Sequence, residues 1–231
     1  MPIPYGFTVL DTVALGFFFF VWTSHYYIIN RSRWRVNTIT AAMSHMREQW
    51  MRNVVSRDET PKDAIIQNGL QQGVLFFAST TVLLIGGMLA ALGSAEKGVK
   101  VLQELPFTVP TNAVQFELKV LLILLIFVTA FFKFAWSYRL YNYTFIMIGA
   151  APRTNVDDAE LAHYAKKLSL LHSLAAKHFT TGLNAYFFAL AACTWFLNPM
   201  LFIAATLWVA LVLYRRAFRA EFLRLLLAES H

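Results

Sequence analysis

Residues 66–92, IQNGLQQGVLFFASTTVLLIGGMLAAL, form an uninterrupted run without a charged side chain. Hydrocarbon offers the backbone no hydrogen-bond partner, so a run this long and apolar is predicted to be a helix that pairs its own amides and crosses a membrane. Thr60 can cap a helix, Pro61 suits its first position, and Asp63 sits where the acid of a capping box would. From Pro61 the helix would exceed the roughly 30 Å hydrocarbon layer, so we expect it to begin outside the membrane.

Similar apolar runs recur along the whole chain. Of the 231 residues, 58% are hydrophobic and 14% are charged, which does not suit a soluble domain. We predict an all-α fold: one integral membrane domain over residues 1–231, built as a polytopic transmembrane helical bundle of about five spans with helices extended into the cytoplasm. The predicted spans are residues 7–29, 66–92, 114–138, 181–197 and 200–214, and the predicted cytoplasmic helical segments are residues 37–57 and 156–178.

The orientation is predicted from the basic residues, which retain their flanking segments in the cytoplasm. Residues 30–63 hold seven Lys/Arg against four Asp/Glu, and residues 139–181 hold five against three. The last apolar stretch is interrupted at Asn198-Pro199, where a tight turn would place both basic flanks inside. A kink in one long helix is the alternative. With the turn, the chain has its N-terminus outside and its C-terminus in the cytoplasm of a bacterial inner membrane.

Two pairs of spans carry similar sequence lines. WTSHYY at residues 22–27 and WSYRLY at residues 136–141 end spans one and three. GLQ at residues 69–71 and GLN at residues 182–184 begin spans two and four, and each is followed by two phenylalanines and an alanine. The pattern predicts a duplicated helical hairpin, with spans one to four in a pseudo-two-fold bundle and span five outside it. Chance similarity among aromatic-rich spans is the alternative.

A few polar residues fall at membrane depth and are candidates for a polar pathway. They are Gln71, Gln72, Thr80, Lys133 and Asn184. Polar groups in a membrane often mark a solute or ion path, which is the functional interpretation. They also form ordinary hydrogen bonds between helices, and a lysine near a helix end often extends its amine to the headgroups. Both interpretations remain open for each residue.

The sequence gives no chemistry typical of an enzyme, and we predict a non-enzymatic protein without a cofactor. It contains no zinc motif of the His-Glu-x-x-His type and no nucleotide-binding glycine loop. Cys193 is the single cysteine, so neither a disulfide nor a cysteine metal cluster can form within the chain. His25 and His178 make a bis-histidine haem site conceivable, although both fall at predicted span boundaries rather than at membrane depth.

The net charge of +7 is carried at the ends of the spans. This placement favours a role in topology and in contact with anionic membrane lipids, and it argues against nucleic acid as a partner. Residues 37–57 alternate apolar and charged side chains at helical spacing, as in an amphipathic helix. Such a helix either lies on the membrane surface or packs against another cytoplasmic helix.

Two lines of sequence resemble a known family. They are FFASTT at residues 76–81, followed by Gly86-Gly87, and FFKFAWSYRLYNY at residues 131–143. In both, polar and aromatic residues alternate in an order that hydrophobicity alone would not produce. The chain resembles the bacterial and plant membrane family catalogued as domain of unknown function 599. The resemblance implies a multispan inner-membrane protein and supplies no activity and no site residues.

Two classes of function follow. The first is a homo-oligomer that offers a path or site for a small solute or ion, with the polar pathway residues as its lining. The second is a structural or assembly protein that binds anionic lipid or a larger membrane complex through its basic amphipathic segments. A haem-binding membrane subunit is a third class.

The predicted orientation can be tested by cysteine labelling. We expect His231→Cys in a Cys193→Ala background to resist a membrane-impermeant maleimide in intact cells and to react after permeabilisation. Ile3→Cys in the same background should react in intact cells. Labelling of the position 231 cysteine from outside would overturn the orientation and the span count.

Overall fold

The computed structural model describes residues 6–31, 39–56, 61–104, 106, 108–152 and 157–218, and all regular structure in these ranges is helical. The helices are α1 (Val9–Arg31), α2 (Ile39–Ser56), α3 (Pro61–Leu92), α4 (Ala95–Glu104), α5 (Ala113–Gly149), α6 (Asp158–Cys193) and α7 (Pro199–Phe218). The predicted all-α membrane bundle is confirmed. Residues 37, 38, 57 and 156 of the predicted cytoplasmic segments, and the tail from Arg219 to His231, lie outside the described residues.

Four described helices are long and apolar enough to cross a membrane. They are α1 over Val9–Ile29, α3 over Pro61–Leu92, α5 over Ala113–Gly149 and α7 over Pro199–Phe218. The predicted span at residues 181–197 lies on α6 and the short 3-10 turn after it, and α6 is not among the four. Asn184 and Tyr186 lower the hydropathy of this half of α6, which packs inside the bundle rather than facing lipid along its length.

The centre of the bundle is the pair α5 and α6, and α3 packs mainly on α5 while also touching α6 through Phe77. Gly182 of α6 lets the fully buried ring of Phe134 from α5 approach closely, because a Cβ at Gly182 would lie 2.5 Å from that ring. Phe77 of α3 packs on Phe134 at 5.7 Å between ring centroids. The core of the membrane half is therefore aromatic.

The chain turns at Asn198-Pro199 instead of continuing as one helix. The ring of Phe18 on α1 lies 5.9 Å from the ring of Phe188 and 5.1 Å from that of Phe202. Fourteen residues of uninterrupted helix would separate Phe188 from Phe202 by about 21 Å, too far for both to touch Phe18. The Asn198 side chain accepts from the amide of Met200 at 2.8 Å and so helps to start α7.

The packing of α1 differs from the predicted repeat. In that arrangement α1 and α3 would pair as α5 and α6 do, with α7 outside. Instead α1 packs mainly on α7, while α3 packs on α5. The similar sequence lines therefore do not produce similarly packed hairpins.

The amphipathic segment α2 packs on α6 rather than presenting its apolar face to lipid. Met51 and Val54 are buried together with Ala165 and Leu168 of α6. Met46 falls at helical spacing with Trp50 and Val54, but it is 39% exposed whereas Met51 is fully buried, so the packed face is rotated toward Met51. Of the two alternatives, helix–helix packing is the one that the structure adopts.

Two local features differ from expectation. The loop expected between spans two and three contains the helix α4, whose Gly98 lies directly under the ring of Phe116. The helix α6 is capped by Asp157, whose carboxylate accepts from the amide of Glu160 at 2.6 Å. Asn155, a residue type that also suits a helix N-cap, lies outside the described residues.

We call the two ends of the bundle after residues of α6 and the turn that follows it. His172 lies near one end and Trp195 near the other, about 30 Å apart along the helix axis. In the orientation predicted from the basic residues, the His172 end faces the cytoplasm.

Gly182 gives a test of the α5–α6 packing. The Cβ in Gly182→Ala would overlap the Phe134 ring, and overpacking outweighs the helix-propensity gain, so we expect a loss of about 1–2 kcal/mol in the free energy of unfolding. Gly73→Ala is the matched control, because nothing lies within 4 Å of a Cβ there. Circular dichroism during denaturation in detergent measures both. Equal stability of the two variants would contradict the close approach, and adding Phe134→Leu should restore much of the loss.

Candidate functional site

Four helices bring polar side chains together at the His172 end of the bundle. Trp50 of α2 donates its indole N–H to the buried carboxylate of Asp63 on α3 at 2.9 Å. The edge of the Trp50 ring system also meets the His172 imidazole of α6, with centroids 5.4 Å apart. Tyr141 of α5 contacts the same imidazole, with centroids 5.0 Å apart. His172 is thus held between two aromatic rings from different helices.

Several buried polar atoms in this cluster have no hydrogen-bond partner among the described residues. They are Nδ1 and Nε2 of His172, Nη1 of Arg47 and Oε1 of Gln67. His172 is 2% exposed and Gln67 is 3% exposed. An unpaired buried polar group costs about 1–3 kcal/mol, so each needs an explanation. Three residues with unsatisfied groups at one end of the bundle are candidates for binding water or a small ligand.

The cluster carries a positive charge that is not neutralised by a direct ion pair. Arg47 is half-buried and forms no ion pair with a described residue, whereas Arg52, one turn further along α2, pairs with Glu48 at 2.8 Å. Burial lowers the pKa of Arg47, and the charge of Arg47 acts on Tyr141 and His172. The pKa of His172 falls to about 4, chiefly through burial and further through Arg47. His172 is therefore neutral near pH 7.

One predicted pathway residue borders this cluster. Gln71 donates its amide to the side-chain oxygen of Asn142 on α5. It lies one turn beyond Gln67 on α3, and Asn142 is the neighbour of Tyr141. The hydrogen bond of Gln71 thus joins α3 to α5 at the edge of the cluster.

Three other predicted pathway residues lie apart from it. Gln72 is exposed on the outer surface of α3. The Thr80 hydroxyl donates to the carbonyl of Phe76 one turn earlier on its own helix, at 2.9 Å. Lys133 lies within electrostatic range of His178 on α6.

Asn184 does not share a site with Gln71. Tyr186, two residues later on α6, hydrogen-bonds with Thr81 of α3 at 2.7 Å. Two residues correspond to about 200° of helix rotation, so Asn184 lies on the face away from α3. Gln71 is ten residues before Thr81, or about 15 Å along its helix. The structure therefore does not bring the five predicted residues into one pathway.

The residues that form the polar cluster were not predicted from the sequence. Arg47, His172 and Tyr141 lie on three helices, and nothing in their spacing links them. The one available signal was on α3, where Asp63, Gln67 and Gln71 follow at intervals of four and so form a polar stripe on one face.

A second buried charged group lies at the Trp195 end. Asp11 of α1 accepts a hydrogen bond from the Trp195 indole at 2.9 Å, and its other oxygen accepts two from Thr8. Lys119 of α5 places its ammonium 5.5 Å from the centre of the Trp195 ring. Asp11 and Lys119 are 7% and 4% exposed, respectively. These contacts tie the start of α1 to the end of α6.

The two histidines considered for haem are not placed for joint ligation. His25 is buried and its ring packs against Phe188, with centroids 5.5 Å apart. His178 lies ten residues before Phe188, about 15 Å along α6. The described residues contain no group of three metal-ligating side chains.

Long apolar helices around an aromatic core make this chain an integral helical membrane protein with a buried polar cluster at one end. The chain matches the family model described as "Protein of unknown function, DUF599" over residues 13–222, and it belongs to that family. The resemblance found in the sequence is confirmed. Comparison with curated proteins and with solved structures gives no match.

The pKa of His172 predicts how stability depends on pH. Its pKa is about 4 in the folded protein against 6.5 for an ordinary histidine, so the unfolded chain takes up the proton first as pH falls. The free energy of unfolding should therefore decrease between about pH 6.5 and 4, by about 3 kcal/mol from this residue. Chemical denaturation of His172→Phe in detergent should lack this part of the decrease. The exposed His163→Gln is the control, and parallel profiles for wild type and His172→Phe would contradict the assignment.

Proposed function

We propose that the protein is a non-enzymatic membrane protein that binds a small anion at the His172 end of the bundle, in the cluster of Arg47, His172 and Gln67. The supporting observation is that buried polar atoms of His172 and Gln67 have no hydrogen-bond partner among the described residues, and that the nearby guanidinium of Arg47 forms no ion pair with a described residue. A small anion would accept from Arg47 and neutralise its charge, and its binding would offset the unfavourable burial of both groups.

The neighbours of Arg47 are consistent with an anion that also carries polar hydrogen-bonding groups. Neutral His172 offers one N–H donor and one acceptor, and the Gln67 oxygen is an acceptor. The carboxylate of Asp63 accepts from Trp50 and adds a negative charge to the same end of the bundle. A monoanion with its own donor would match this arrangement better than a multiply charged one.

We propose that a single chain provides only a binding site for the anion. An assembly of several copies would provide the path across the membrane. Phe18, Phe134 and Phe188 are fully buried in the middle of the bundle and close the interior between its two ends. Nothing lies within 4 Å of a Cβ built at Gly86 or Gly87, so this face of α3 is uncovered in one chain. In our proposal, copies meet there and the solute crosses beside the bundle. The bacterial inner membrane with the His172 end in the cytoplasm is part of the same proposal.

The anion site can be tested by ligand-dependent stability. We expect sodium phosphate, whose dihydrogen form is a monoanion with its own donors, to raise the melting temperature of the detergent-solubilised protein above the effect of sodium chloride at equal ionic strength. An anion at a hundred times its Kd stabilises by about 2.7 kcal/mol. Arg47→Gln should abolish the difference between anions. Arg52→Gln is the matched control, because Arg52 is exposed on the same helix and pairs with Glu48.

The possible outcomes distinguish a specific anion site from a general effect of the charge on α2. No anion-specific stabilisation in wild type, or the same stabilisation in Arg47→Gln, would refute the site. Loss of the effect in both arginine variants would assign it to the general charge of α2 and not to the cluster.

A flux measurement distinguishes a site from a path. Liposomes containing the pure protein should pass chloride or phosphate if copies form a path, and Arg47→Gln should reduce that flux at least tenfold. The double variant Gln71→Leu with Asn184→Leu tests the pathway predicted from sequence, and unchanged flux would remove both residues from it. Binding without flux would leave a sensing or storage site. Purification of a stoichiometric partner of another sequence would instead favour the assembly function.

A further inference from the structure

A groove opens between α1 and α5 at the Trp195 end of the bundle. It encloses about 270 Å³. Its lining is almost entirely apolar, from α1, α5 and the 3-10 turn, and consists chiefly of Phe7, Leu15, Phe19, Leu121, Leu125 and Trp195. The eight helical steps from Asp11 to Phe19 give the groove a length of about 12 Å parallel to the helices.

The groove faces outward into the region that lipid occupies. On its rim Leu121 is 40% exposed, Leu125 is 56% exposed and Phe19 is 43% exposed. The helices α1 and α5 make few direct contacts, since α1 packs on α7 and α5 on α6. A linear hydrocarbon chain that enters from the side would lie along both helices and fill the space between them.

Two charged side chains lie at the polar end of the groove: Asp11 belongs to its lining, and Lys119 is buried against the ring of Trp195, which also lines it. Asp11 lines the groove, but its two oxygens already accept three hydrogen bonds, from the Trp195 indole and from the amide and hydroxyl of Thr8. Lys119 is 4% exposed, and its ammonium has only the Trp195 ring and the charge of Asp11 nearby. Within the described residues no carboxylate approaches Lys119 to 4.0 Å. The group that lacks a partner is therefore a cation.

We propose that this groove binds one acyl chain of an anionic phospholipid, with the lipid phosphate beside the Lys119 ammonium. The apolar lining takes the chain, and the phosphate supplies the acceptors that Lys119 lacks. A lipid with a cationic head would instead need acceptor capacity at Asp11, where the Trp195 and Thr8 hydrogen bonds already take three of about four lone-pair positions. The site is separate from the anion cluster at the His172 end, so either proposal can fail without the other.

Quenching of Trp195 by brominated lipids tests the site directly. The probe protein keeps Trp195 as its single tryptophan, with the other five replaced by phenylalanine, and is placed in bilayers containing brominated phosphatidylglycerol or brominated phosphatidylcholine. We expect the anionic lipid to quench Trp195 at least twofold more strongly than the zwitterionic lipid. Lys119→Met should bring the two lipids to parity. Lys133→Met, on the same helix, is the control and should leave the preference intact.

The groove itself is tested by filling it. Leu121→Phe should weaken quenching by both lipids, whereas Leu83→Phe, on the exposed surface of α3, should not. Native mass spectrometry of the protein with all six tryptophans is the second measurement, so the result does not depend on folding of the single-tryptophan protein. We expect a phosphatidylglycerol molecule to stay bound after detergent washing of wild type and to be lost in Lys119→Met.

Three results would overturn the proposal. They are equal quenching by both lipids in the Trp195 protein, a preference that survives Lys119→Met, and equal retention of phosphatidylglycerol by wild type and Lys119→Met. Preference for a brominated lipid with a cationic head would assign the polar end to Asp11 and would refute the anionic ligand.

Discussion

The structure depends on one property of its surroundings, the absence of hydrogen-bond partners in hydrocarbon. This constraint makes each span a helix, and it also decides where side-chain polarity can be placed. In the middle of the bundle, hydroxyls such as that of Thr206 donate to the carbonyl one turn back, so they need no partner from another helix. Interhelical contact there is made chiefly by rings packed through Phe134 and Phe188, together with the hydrogen bonds between Thr81 and Tyr186 and from Ser137 to the Ala175 carbonyl. Most buried polar atoms without a partner among the described residues lie at the His172 end, and Nε2 of His25, beside Phe188, lies outside it.

The two ends of the bundle differ in how far their buried polar groups are paired. At the Trp195 end the carboxylate of Asp11 accepts three hydrogen bonds from α1 and from the turn after α6, and no described carboxylate lies within 4.0 Å of the Lys119 ammonium. At the His172 end, atoms of Arg47, Gln67 and His172 are left without partners on three different helices. Several buried polar groups of this kind argue against a purely structural role, because apolar side chains of similar size at these positions would make the folded protein more stable. This contrast is why the His172 end carries the functional proposal.

The sequence predicted correctly those features that depend on the composition of a single helix. The apolar runs of α1, α3, α5 and α7 follow from local composition, and the family resemblance follows from two lines of sequence. Sequence reasoning failed where the outcome depends on how helices rotate against one another. Gln71 meets Asn142 and not Asn184, and Met46 is exposed while Met51 is buried, because the partner helix selects the face. Arg47 and His172 lie on helices far apart in the chain, and no spacing rule could pair them without the packing of α2 on α6.

The pairing of α1 with α7 has a consequence for biosynthesis. The first span leaves the ribosome well before its main neighbour exists, since α7 begins only at Pro199. At roughly 5–20 residues per second, about 10–30 s pass between the two. During that interval the side of α1 that carries Phe18 faces lipid or the insertion machinery instead of Phe202. The last of the described helices, α7, is thus the main packing partner of the first, α1.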